Sequence, residues 1–220
     1  LSSLDGLTQE IYEEEVLPKL IQIILDSNDV LSQQYLMECI IVAFPDSFNI
    51  KCVEAILNTT SRLTAGVDIK GLFINLMEKL AKFITDNSGD DVSEEDKKLI
   101  QSAQGVYPIL LQYFDRLQKE TLMLGENMGN FKLLDLNIAF MKFSIKCTET
   151  DILANINHIL TSTLNCLRQS RRLSNESIKK LCKLMQVPLE SEYSIFDMTD
   201  FDGLMAFLDY NIRKNVGLKI

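Results

Sequence analysis

Apolar residues recur at helical spacing along nearly the whole chain, and in several segments they form two adjacent stripes rather than one. Over 68–85, Ile69, Leu72, Leu76, Leu80 and Phe83 make one stripe and Phe73, Met77 and Ile84 its neighbour. Over 130–146, Phe131, Leu134, Ile138, Met141 and Ile145 run beside Leu133, Leu136, Phe140 and Phe143. A third doubled segment, 150–169, carries Ile152, Ile156, Ile159 and Thr163 beside Leu153, Leu160, Leu164 and Leu167. A helix on the outside of one core needs a single apolar face. Two faces demand neighbours on both sides, which stacked helix pairs supply.

Punctuation divides the pattern into helices over 8–25, 30–44, 49–63, 68–85, 94–118, 130–146, 150–169, 175–186 and 199–215. Phe44 precedes Pro45 and so resists helical geometry, which ends the second helix. Gly105 and Pro108 should bend the fifth, and Pro188 should stop the eighth. Ser93 with Asp96 resembles a capping box. Pair starts near 8, 49, 94 and 150 loosely match the period of roughly 40–47 residues seen in HEAT and armadillo arrays. The expected fold class is therefore all-α, an α-solenoid of stacked antiparallel helix pairs forming a single segment over 1–220. Periodicity alone leaves an irregular helical bundle open.

The net charge of −9 disfavours nucleic acid as a partner, because phosphate attraction needs a basic surface. The charge is uneven: residues 1–120 hold 20 acids and 10 bases, residues 121–220 hold 11 and 12. Chemistry-bearing motifs are sparse. The chain has one histidine, His158, and five scattered cysteines with no C-x-x-C pair, so no metal or cofactor is expected. Cys166 lies two helical turns from His158, too far for a nucleophile–base pair. Gly125 and Gly129 lack the lysine and preceding strand of a phosphate loop. Glu13, Glu14 and Glu15 splay round a helix as a solvated face, and Asp90, Asp91, Glu94, Glu95 and Asp96 suit a loop and a helix N-terminus. No enzymatic activity is expected.

One basic cluster stands out: Arg168, Arg171, Arg172, Lys179, Lys180 and Lys183, with Glu176 as its one acid. It could meet anionic lipid headgroups or an acidic partner segment. It is equally what a solvated turn near a helix C-terminus looks like.

Tyr35-Leu36-Met37-Glu38-Cys39-Ile40-Ile41, followed after two positions by Phe44-Pro45-Asp46 and then Phe48, resembles the large scaffold subunit of retromer, the vacuolar protein sorting-associated protein 35 family. Leu1, Leu4, Asp5 and Gly6 are similar to the family's run before the same helix, as are Val67, Ile69, Lys70, Ile74, Leu76, Leu80, Ala81 and Phe83 to the helix that follows. Val187-Pro188, Tyr193 and the set Phe207, Asp209, Tyr210, Arg213 and Lys214 resemble later family segments; residues 86–148 match mainly in helical pattern. The resemblance implies an internal, non-catalytic segment of a longer helical-repeat scaffold, cytoplasmic and peripheral on endosomal membranes, in a coat that sorts transmembrane cargo. It implies arrestin-like and phosphoesterase-like subunits, sorting nexins and cargo tails as partners, bound through regions outside these residues. The family's Pro-Arg-Leu-Tyr-Leu motif for the arrestin-like subunit is absent here, and the basic cluster departs from the family pattern. Another helical-repeat transport receptor or adaptor, binding peptides, is the alternative; zero tryptophans count against its armadillo form.

Overall fold

The computed structural model describes residues 6–87, 93–123, 129–148, 151–169 and 173–217. Among them there is no strand, and the chain forms two compact units, Leu1–Ile109 and Leu110–Ile220. Both are all-α and built from stacked antiparallel helix pairs, the HEAT/armadillo-like class expected of doubled stripes.

The first unit opens with α1 (Gln9–Ile11), a π-helical turn (Tyr12–Val16) and α2 (Leu17–Asp26). A single α-helix was expected here. The wider turn, in which Leu17 N–H donates to the Tyr12 carbonyl, falls just before Pro18, which has no N–H to continue the α register. Asn28 takes a left-handed conformation, and the Asp29 carboxylate caps α3 (Val30–Ala43) by accepting from Ser32 N–H at 2.7 Å. Ser32, through its side chain and then its N–H, holds the Asp29 carboxyl below its ordinary pKa. Phe44 is extended and Pro45 follows, so α3 ends as expected. The next helix, α4 (Asp46–Thr60), starts at once, three residues earlier than expected, because proline is well suited to a helix start.

Gly66, with φ of 111°, turns the chain into α5 (Ile69–Asp86), capped by Asp68. Gln33 is buried and donates to the Ile24 carbonyl at the end of α2, while its oxygen accepts from Thr64 N–H. Gln34 accepts from Asp68 N–H. The start of α3 thus meets the start of α5, so these two helices run parallel with α4 returning between them. In α5, Leu72, Phe73, Leu76, Met77, Leu80 and Ile84 are buried, so both predicted stripes are covered. Against α4 and α5 packs α6 (Glu94–Gly105). The Asp96 side chain of the expected capping box lies outside the described residues.

Tyr12 is buried in an aromatic cluster, 4.5 Å from Phe44 and 4.9 Å from Phe48 between ring centroids. Its hydroxyl has no hydrogen-bond partner, and burial raises its pKa. An unpaired buried hydroxyl costs free energy. Tyr12→Phe should therefore leave the fold intact and be neutral or stabilising by up to about 1 kcal/mol in urea denaturation; a loss of stability would mean the hydroxyl has a partner.

The expected bend at Gly105 and Pro108 is a break, with α7 (Tyr107–Met123) beginning after Val106. In the second unit, α7 from Leu110 onward meets α8 (Gly129–Cys147) and α9 (Ile152–Arg168). The expected glycine-rich connection, 124–128, lies outside the described residues. Phe114 and Phe140 stack at 4.4 Å with planes 9° apart, and Phe143 sits 6.2 Å from Phe140. Buried polar groups form a directed chain: Cys166 donates to Gln118, Gln118 to Asn137, Asn137 to Thr163, and Thr163 to the Ile159 carbonyl. Each side chain in this chain of bonds has a partner, and the three helices are held in one register.

Next, α10 (Asn175–Glu190) packs on α8. It runs through Pro188 rather than stopping before it. That position lies in the last turn, where a missing N–H costs a single bond, and the buried ring adds packing. The helix expected over 199–215 is instead a 3₁₀ turn (Ile195–Asp197), α11 (Phe201–Met205) and α12 (Tyr210–Gly217). Arg213 donates to the carbonyls of Leu208 and Ala206, and Asp209 accepts from Ile212 N–H, so two side chains stabilise the break.

Candidate functional site

The predicted basic cluster is divided by the fold. Lys179 and Lys183 lie one turn apart on α10 and are both exposed, as is Arg168 at the C-terminal end of α9. That end carries partial negative charge, which a cation offsets. Lys180 points elsewhere and is ion-paired with Asp135 of α8. Arg171 and Arg172 lie outside the described residues. Of the cluster's described members, Arg168, Lys179 and Lys183 are each exposed, and Lys180 is committed to Asp135.

No catalytic arrangement assembles among the described residues. His158 is exposed, with Nε2 2.7 Å from the Asp115 carboxylate, a hydrogen bond between α9 and α7 rather than a base beside a nucleophile. Cys166 is engaged with Gln118. Burial pushes the Cys52 thiol up to about 11 and the Cys147 thiol up to about 12, so both stay protonated and poorly nucleophilic near neutral pH. Three or more metal-ligating side chains do not converge among the described residues. Glu13, Glu14 and Glu15 are all exposed, as a solvated face requires.

A second arrangement escaped sequence reasoning: the joint between α3 and α4. Helix α3 ends with its last carbonyls unable to find helical partners. Lys79 of α5 reaches across and donates to the carbonyls of Ile41 at 2.6 Å, Val42 at 3.3 Å and Phe44 at 2.6 Å, and lies 3.4 Å from the Asp46 carboxylate. Buried Asn49 donates to the same Ile41 carbonyl at 2.9 Å. Helix α5 is thereby fastened across the α3–α4 joint. In sequence, Lys79 is one cation in an amphipathic helix, and nothing local marks it as a cap.

This joint is built from Ile40, Ile41, Phe44, Pro45, Asp46 and Phe48, which belong to the stretch that carries the family resemblance. A family model described as vacuolar protein sorting-associated protein 35 matches residues 1–220. The chain belongs to this family. The match includes 86–148, where the family pattern is otherwise visible mainly as helix periodicity. Vacuolar protein sorting-associated protein 35 of Dictyostelium discoideum is 30% identical over 226 residues, covering 100% of this chain and 27% of the relative. The 35C protein of Arabidopsis thaliana is 26% identical over 227 residues, covering 99% of this chain and 27% of its own length. The Schizosaccharomyces pombe member is 30% identical over 92 residues, 42% of this chain and 11% of the relative. The chain spans about a quarter of the length of the relatives it matches throughout. Within the described residues, no helix is long and apolar enough to cross a membrane.

Proposed function

We propose that this chain is a non-catalytic scaffold segment of the retromer cargo-recognition coat, serving endosome-to-Golgi and endosome-to-plasma-membrane transport from the cytoplasmic face of endosomes. The family match over residues 1–220 carries the reading. The geometry agrees with it: helices with two covered faces, cross-helix caps and a directed hydrogen-bond chain resist deformation, which a load-transmitting spacer needs. Arrestin-like and phosphoesterase-like subunits, sorting nexins and cargo tails are the partners of the whole assembly, engaged through regions beyond these residues.

The test is a pull-down with the whole protein that carries these residues and with a version of it lacking residues 7–217. The whole protein should recover the arrestin-like and phosphoesterase-like partners together. The shortened one should keep individual partners yet fail to restore cargo retrieval in cells lacking the protein. Recovery of neither partner by the whole protein would sink the reading.

The exposed cations Arg168, Lys179 and Lys183 are read here as a contact for anionic lipid headgroups. Reversing all three to Glu should weaken binding of the full chain to phosphatidylserine-containing liposomes roughly fivefold for each charge removed at low salt. Lys180→Glu should instead act through its pair with Asp135 and lower stability. Unchanged liposome binding by the triple variant would eliminate the lipid contact.

A further inference from the structure

Helix α3 is apolar on more than its packed side. Met37, Ile40 and Ile41 are buried with Gln33, while on the opposite face Leu31, Tyr35 and Val42 are 79%, 67% and 70% exposed. At helical spacing these three fall within an arc of about 40° and span about 16 Å along the axis. Single exposed apolar residues are ordinary; a large aliphatic and aromatic stripe along one helix face marks an interaction surface.

The stripe leads into a groove. Val42 forms one wall of a cavity of about 470 Å³ between the C-terminal end of α3 and the parallel helix α5, with Phe83 on the other side. Glu78 and Asp86 line it with Lys82, and Lys79 is committed to the α3 carbonyls. Glu38 lies on α3 between Tyr35 and Val42, so Glu38, Glu78 and Asp86 border the apolar track, while Asp46 faces Lys79. The surrounding sequence reinforces this sign, with 20 acids against 10 bases over residues 1–120. A second copy of the chain is a poor occupant, because a two-fold contact sets this acidic border against itself. An apolar helix edged with cations fits both the track and the charge.

We propose that the exposed face of α3 and the α3–α5 groove form a docking surface for a short amphipathic helix of a partner protein, apolar on one face and bordered by Lys or Arg. The inference stands apart from the transport reading, since it rests on the geometry of this face alone.

The test uses the full chain and a fluorescein-labelled Leu/Lys peptide of about 18 residues, long enough to hold a helix, with leucines at i, i+3, i+4 and i+7. Controls are a scrambled peptide of the same composition and a Leu/Glu version. Anisotropy should show the amphipathic Leu/Lys peptide binding at least about tenfold more tightly than either control. Leu31→Asp with Tyr35→Asp and Val42→Asp should abolish that preference. The milder set Leu31→Ser, Tyr35→Ser and Val42→Ser, checked by circular dichroism, should weaken binding at least about tenfold if the Asp variant fails to fold. Glu78→Lys with Asp86→Lys should remove most of its salt dependence. Equal binding of the scrambled peptide, or unchanged binding by the Ser variant, would overturn the proposal. So would a photo-crosslinking amino acid at Tyr35 that, with no peptide present, links to another segment of the same chain or to a second copy.

Discussion

Phe140→Ala should cost about 3–5 kcal/mol, the largest single loss expected in the second unit. Phe140 is fully buried, stacks on Phe114 at 4.4 Å and lies 6.2 Å from Phe143 between ring centroids. Truncation removes the transfer free energy of the ring and leaves a cavity between helices that cannot close without shifting both neighbours. Asn137, one turn earlier on α8, holds the hydrogen-bond chain from Gln118 to Thr163, so collapse into the cavity would strain those bonds. Phe140→Leu should cost much less, about 1–2 kcal/mol, because most of the volume remains. Urea denaturation followed by circular dichroism checks both. An Ala loss below about 1 kcal/mol would show that α8 is not enclosed on two sides.

Lys79→Met should cost about 2–3 kcal/mol, the value of hydrogen bonds made by a charged group. The ammonium serves three carbonyls at the end of α3, two of them at 2.6 Å, and faces Asp46. Methionine keeps the apolar stem but has no donor, so the carbonyls must find water at a partly buried joint. Lys79→Arg should recover part of the loss, since its donors are spaced differently. Asp46→Asn should cost about 1 kcal/mol or less, as the carboxylate is the weaker of the contacts to Lys79. Hydrogen exchange should localise the Lys79→Met effect to amides at the end of α3 and the start of α4. Uniform exchange across the unit, with unchanged stability, would show that the cap contributes nothing.

The contrast between two prolines shows where sequence reading works. Pro45 ends α3 as expected because its effect on Phe44 is local and large. Pro188 does not end α10, because in a last turn its local cost is small and burial of the ring against the unit's core offsets it. The break between α11 and α12 has the same character. Asp209 and Arg213 are readable as residues, but their capping roles depend on a turn that only the folded chain creates. The basic cluster was legible as charge, and not as a surface. Helical spacing puts Lys179 and Lys183 on one face and Lys180 on another, where Asp135, 45 positions earlier, takes it.

Residues 1–220 determine their own helices, the two-sided burial of α5 and α8, and membership of the family, because periodicity and motif are properties of neighbouring residues. Tertiary structure alone decided that Lys79 would cap a helix some 35–38 positions away, that Gln118, Asn137, Thr163 and Cys166 would form one chain, and that Leu31, Tyr35 and Val42 would stay uncovered. The physical reason is the same in each case. A hydrogen bond or an exposed face between distant segments has no local signature, since its free energy arises only when packing brings, or fails to bring, the second partner into contact.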